Sequence, residues 1–106
     1  MSNLAQNLEA LLAKGQDNAL LRFGLGNVYF EAENYNKAEE YLNKALAFDM
    51  HYTAAWKLYA KTLVKLGKSQ EAKAAFEKGI VIAEQKGDKQ AAKEMQVFLK
   101  RLQKQA

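Results

Sequence analysis

One arrangement of large and small residues occurs twice in this chain, 34 positions apart, over residues 19–52 and 53–86. Small residues pair as Gly26/Ala60, Ala38/Ala72 and Ala45/Gly79, and large ones as Leu25/Tyr59, Tyr29/Leu63, Leu42/Phe76 and Leu46/Ile80. Identity is confined to Ala38/Ala72 and Lys44/Lys78, so side-chain size recurs rather than residue type. Small residues at fixed points let two helices cross at the short end of the usual interaxial distance. Each copy is broken once near its middle, at residues 33–35 and 67–69. Two helices and a turn per copy satisfy this pattern, and units of that kind bury their apolar faces by stacking on neighbours.

Apolar spacing sets out the helices in order. Residues 3–14 carry Leu4, Leu8, Leu11 and Leu12 on one face, with Asn7 and Glu9 pointing elsewhere, and Gly15 ends the helix. Asp17 or Asn18 caps a second helix running to Ala32. It contains Gly24 and Gly26. Each costs ~1 kcal/mol relative to alanine, which points to close approach by a neighbour. Asn36 with Glu39 has capping-box spacing and opens a third helix to Phe48, with Ala38, Tyr41, Leu42, Ala45 and Leu46 inward. Asp49-Met50-His51 turns into a fourth helix, Thr53 to Leu66, with Trp56, Tyr59, Ala60 and Leu63 on its buried side. Gly67 closes it. Ser69 caps a fifth helix, which carries Ala72, Phe76, Gly79 and Ile80 and runs to Lys86. After Gly87, Asp88 caps a sixth helix to Gln103, apolar at Met95, Phe98, Leu99 and Leu102 and wet at Lys89, Lys93, Lys100 and Lys104.

A helix–turn–helix period of this length and pattern resembles the tetratricopeptide repeat (TPR). The resemblance covers residues 19–86 as two full repeats. Trp56 stands at the large position early in the first helix. Leu25-Gly26 match the Leu-Gly pair that follows, with Tyr59-Ala60 as its looser form, and Tyr29 takes the next aromatic position. Gly67 is the turn glycine, and Ala38 and Ala72 fill the most demanding small position, followed by Leu42 and Phe76. Arg22, Glu33 and Met50 depart from the pattern, standing where a large residue, the turn glycine and a closing proline belong. The resemblance implies an all-α fold, a right-handed α-solenoid of antiparallel helix pairs. A single TPR domain over residues 1–106 is expected, with an N-terminal helix at 3–14 acting as a half repeat, repeats at 19–52 and 53–86, and a capping helix at 88–104. Leu8 and Leu12 of the half repeat align with Leu42 and Leu46, and both ends read as closed.

Catalytic chemistry finds few groups to work with. His51 is the only histidine and lies in a turn; Ser2 is near the terminus and Ser69 is a cap. The carboxylate pairs Glu39-Glu40 and Glu31/Glu33 sit on wet helix faces, and no glycine-rich loop follows a strand. The chain is read as not an enzyme, with no metal and no cofactor. It has no cysteine and no proline. The missing thiols exclude disulfides and fit a reducing compartment. Residues 1–15 lack the basic start of a signal peptide, and no apolar run is long enough for a bilayer. A soluble, cytoplasmic protein without a membrane partner is expected.

Charge is the more telling quantity. Residues 1–53 hold four Lys/Arg against seven Asp/Glu, whereas residues 54–106 hold twelve against five. Lys57, Lys61 and Lys65 recur at four-residue spacing and share one helical face. In TPR arrays the first helices of successive repeats line a concave groove that takes partner peptides. Carried over by position, the groove residues are Phe23, Asn27 and Phe30, then Lys57, Lys61, Val64 and Lys65, flanked by Leu20, Glu31 and Ala54. The alternative for the lysines is a solvated face, and for Phe23 and Phe30 it is packing against Leu8, Leu11 and Leu12. A TPR subclass clamps C-terminal carboxylates with lysine, asparagine and arginine. Asn27 matches one clamp position, but Phe23 and Leu58 replace the next two, so the clamp is incomplete. The expected function is protein binding: an adaptor or scaffold whose groove takes an acidic peptide or protein. Two rivals remain. One is a homo-oligomer joining acidic to basic ends. The other is a nonspecific nucleic-acid binder, disfavoured because fourteen of the sixteen basic residues are lysine and few aromatics interleave with them.

Overall fold

The computed structural model describes residues 3–105, and every regular element among them is an α-helix. These are α1 (Asn3–Ala13), α2 (Ala19–Glu31), α3 (Tyr35–Phe48), α4 (Thr53–Lys65), α5 (Ser69–Lys86) and α6 (Lys89–Gln105). The chain divides into two compact units, Met1–Tyr52 and Thr53–Ala106. In the first, α2 packs against both α1 and α3; in the second, α5 packs against both α4 and α6, and α4 also touches α6.

Four helix ends use one device. A residue one or two positions past the helix takes a left-handed backbone, at Gly15 (φ 88), Glu33 (φ 60), Gly67 (φ 75) and Gly87 (φ 76). Its N–H and the next one then reach back to two carbonyls of the last turn, satisfying acceptors the helix leaves open. At α2 the bonds are Glu33 N–H to Phe30 O (2.9 Å) and Asn34 N–H to Tyr29 O (2.9 Å). At α4, 34 residues on, they are Gly67 N–H to Val64 O (3.0 Å) and Lys68 N–H to Leu63 O (2.9 Å).

This geometry corrects two expected helix starts. The residues after Glu33 and Gly67, Asn34 and Lys68, already stand at the next N-cap. The Asn34 side chain therefore accepts from Lys37 N–H at 3.3 Å, and Asn36 lies inside α3 instead of capping it. Likewise Lys68 holds the cap position of α5 without a side-chain bond, and Ser69 is its first helical residue. Asn18 and Asp88 cap as expected, accepting from Leu21 N–H (2.8 Å) and Ala91 N–H (3.2 Å).

The small residues sit where backbones approach. A Cβ added at Gly26 would lie 2.6 Å from Leu42 Cγ, so α2 and α3 meet over a bare α-carbon. One at Gly79 would lie 2.7 Å from Met95 Sδ and 2.9 Å from Trp56 Cβ. At Gly24 it would make ordinary contact, 3.7 Å from Leu8 Cδ1. Leu25, Tyr29, Ala38, Leu42 and Ala45 are buried in the first unit. In the second, Ala60, Leu63, Ala72, Phe76, Ala83 and Met95 form one core, with Trp56 only half-buried at its side.

Candidate functional site

The lysine face of α4 runs beside α6, and its members do different things. Lys57 Nζ donates to Glu94 Oε1 at 2.7 Å. That bond, helped by Gln90, holds the Glu94 carboxyl below the ordinary carboxylate range. One turn on, Lys61 Nζ lies 5.3 Å from the centroid of the Phe98 ring. Arg101 Cζ lies 5.8 Å from the same centroid. Phe98 stacks on buried Phe76 with centroids 5.8 Å apart and planes 6° from parallel. The ring is thus backed by core and approached by two cations, each attracted by its π-face.

These residues border an open cleft of about 240 Å³ between α4, α5 and the last turns of α6. Its lining is Lys61, Val64, Lys65, Phe76, Phe98, Arg101, Leu102 and Gln105. Three cations surround an aromatic and aliphatic floor, and the lining holds no carboxylate. Of the expected site residues, Lys61, Val64 and Lys65 are gathered here, while Lys57 is turned to Glu94. Phe98 and Arg101 are the contributors that sequence reasoning missed. Phe98 was legible as part of an apolar stripe, and Arg101, three residues later, is one of only two arginines.

In the first unit, Phe23 and Phe30 are half-buried and Asn27 is exposed. The aromatic neighbour of Phe23 is Tyr52, at 5.0 Å between centroids, and that of Phe30 is Tyr35, at 5.4 Å. Neither contact was anticipated. Glu9 also departs from expectation: it does not point away from the helix stack. Its Oε2 accepts from Tyr41 Oη at 2.7 Å and Tyr29 Oη at 2.9 Å, with Lys37 Nζ at 3.5 Å. The Tyr41 bond, then that from Tyr29, pulls the Glu9 carboxyl below its ordinary range against the opposing effect of burial. A larger, shallow depression on α2 and α3 contains Arg22, Lys37 and Tyr41. Two of its three cations are engaged, since Arg22 makes two 2.8 Å bonds to Asp17 and Lys37 faces Glu9; Lys44 and the Glu40 carboxylate complete its charged lining.

A family model described as anaphase-promoting complex, cyclosome, subunit 3 matches residues 2–79. The TPR repeat-containing protein PA0015 of Pseudomonas aeruginosa is 46% identical over 99 residues, 93% of this chain and 94% of the relative. The chain belongs to the tetratricopeptide repeat family. Among solved structures, this TPR protein is similar to protein BPP2914 from Bordetella parapertussis, determined in solution. The match has 46% identity and a TM-score of 0.88, and covers 99% of this chain and 91% of the other. MamA has the same fold at 19% identity and a TM-score of 0.70, over 94% of this TPR chain and 65% of its own. TPR proteins are generally protein–protein interaction modules rather than enzymes. No helix among the described residues is long and apolar enough to cross a membrane.

Proposed function

We propose that this TPR protein is an adaptor or scaffold that binds an acidic protein or peptide through the lysine-bearing face of α4. The observation that carries the reading is the cleft at Lys61, Lys65 and Arg101, where three positive groups converge on an apolar floor with no carboxylate in the lining. Such a surface attracts carboxylates electrostatically and offers apolar area for an anchor. Phe23, Asn27 and Phe30 on α2 are proposed as contacts of the first unit. The test is to pan a library of end-capped peptides against the protein and against a Lys61→Glu/Lys65→Glu variant. Enrichment of Asp- and Glu-rich sequences that is lost in the variant supports the reading. Enrichment of neutral or basic sequences, or acidic ones indifferent to the variant, overturns it.

A second reading, self-assembly, draws on the charge split, which coincides with the unit boundary: the first unit carries a net charge of −3 and the second +7. It expects a rise in mass by light scattering as salt is lowered. A constant monomer mass at every salt and protein concentration excludes it.

A further inference from the structure

The cleft on the second unit specifies its ligand more closely than by acidity alone. At about 240 Å³ it is smaller than the sites that enclose small molecules. Those run to roughly 300–1,000 Å³. It has room for one large apolar side chain set on Phe98 and Leu102. Its positive groups stand on both walls: Lys61 and Lys65 on α4, Arg101 on α6. Lys61 and Arg101 lie 5.3 Å and 5.8 Å from the Phe98 centroid. A single carboxylate, such as a chain terminus, meets one wall only. In an extended peptide, side chains two residues apart share a face and are about 6.6 Å apart. Carboxylates two residues to either side of an apolar anchor therefore straddle Phe98 and reach both walls, whereas carboxylates next to the anchor point away.

Resting on the acidic-partner reading, we infer that the cleft recognises an internal, extended segment in which one large apolar residue is flanked at positions −2 and +2 by Asp or Glu. Phe98 seats the anchor. Lys65 with Lys61 holds one carboxylate and Arg101 the other.

The probe is a pentapeptide blocked at both ends, with glutamate at positions one and five, phenylalanine at three and glycine between, titrated into isotope-labelled protein. Its affinity and the shifted amides are read by NMR. Expected are shifts at Lys65, Phe98 and Arg101. Moving both glutamates beside the phenylalanine, or replacing the phenylalanine by alanine, should weaken binding about tenfold, the scale set by a buried anchor. Lys65→Gln and Arg101→Gln alter exposed side chains, so the fold should persist, and each should weaken binding severalfold. Binding indifferent to glutamate spacing or to Arg101→Gln overturns the cleft assignment. If library peptides remain acidic and dependent on Lys61 and Lys65, the broader reading survives that failure. If that dependence is absent too, both fall.

Discussion

Glu33 and Gly67, 34 residues apart, hold the same left-handed backbone and close their helices with the same pair of hydrogen bonds. The geometry of the turn is thus common to both repeats even where the residue that suits it is not. A left-handed conformation costs an L-residue with a Cβ about 1–2 kcal/mol. Glu33→Gly should therefore stabilise the protein by about 1 kcal/mol, once the extra freedom of glycine in the unfolded chain is subtracted. Thermal unfolding followed by circular dichroism should show a midpoint raised by several degrees. A lowered midpoint would mean the Glu33 side chain itself holds the turn.

The three helical glycines should respond differently to alanine, although each gains about 1 kcal/mol of helix propensity. At Gly26 the new Cβ meets Leu42 Cγ at 2.6 Å, and at Gly79 it meets Trp56 Cβ at 2.9 Å. Neither neighbour is the far end of a flexible chain. Gly26→Ala and Gly79→Ala should lose about 1–3 kcal/mol through overpacking. Gly24→Ala meets only ordinary contact and should be neutral or stabilising. Chemical denaturation of the three variants checks the order. Equal effects at all three would mean propensity, not close approach, governs these positions.

Much of this was legible in the sequence because it lies in packing periodicity. The bulky and small partners at 26, 42, 60, 76 and 79 recur with the repeat, and a volume rule at a helix crossing leaves its mark on residue type. Helix starts were less legible. Asn34, Asn36 and Ser69 can all cap, and only the left-handed residue before the cap chooses among them. Glu9 and Arg101 were hidden for another reason. A charged residue on a helix carries no mark of its partner: Tyr29 and Tyr41 lie on other helices than Glu9, and the lysines that face Arg101 across the cleft lie on α4. The lysine stripe was visible as a stripe; its division between Glu94 and the cleft was not.

Glu9 ties α1 to α2 and α3 through two tyrosine hydroxyls, and this contact should depend on pH. Its folded pKa lies below the ordinary glutamate value of 4.5. The stabilisation is therefore fully present above about pH 4.5 and is lost as pH falls through the lowered value. On the alkaline side, burial and the Glu9 bond raise both tyrosines above 10, so stability should also fall above pH 10 as the unfolded tyrosines ionise. Amide protection in α1, taken relative to the intrinsic exchange rate at each pH, should fall in acid in the native protein. In Glu9→Gln it should be lower at neutral pH and nearly flat between pH 5 and pH 3. The same acid dependence in both proteins would remove Glu9 from the explanation.

Lys57 and Glu94 should behave as a structural pair separate from the cleft. The bond from Lys57 is the largest cause of the depressed Glu94 pKa, with smaller contributions from Gln90 and Lys61. Lys57→Gln should let the Glu94 carboxyl titrate closer to its ordinary value without reaching it, because Gln90 and Lys61 remain. As with any lowered acid, the contribution of the pair is present above the ordinary carboxylate pKa and fades as pH falls through the folded value. The bond is partly exposed, so salt should erase most of the difference between native and variant. Carboxyl-detected NMR titration at low and high salt measures both effects. The pentapeptide affinity separates structure from recognition: Lys57→Gln should change it little and Lys65→Gln should weaken it, because Lys65 borders the cleft and Lys57 is committed to Glu94. If both variants weaken the peptide equally, the three lysines act as one charged face and the division made by Glu94 has no consequence for binding.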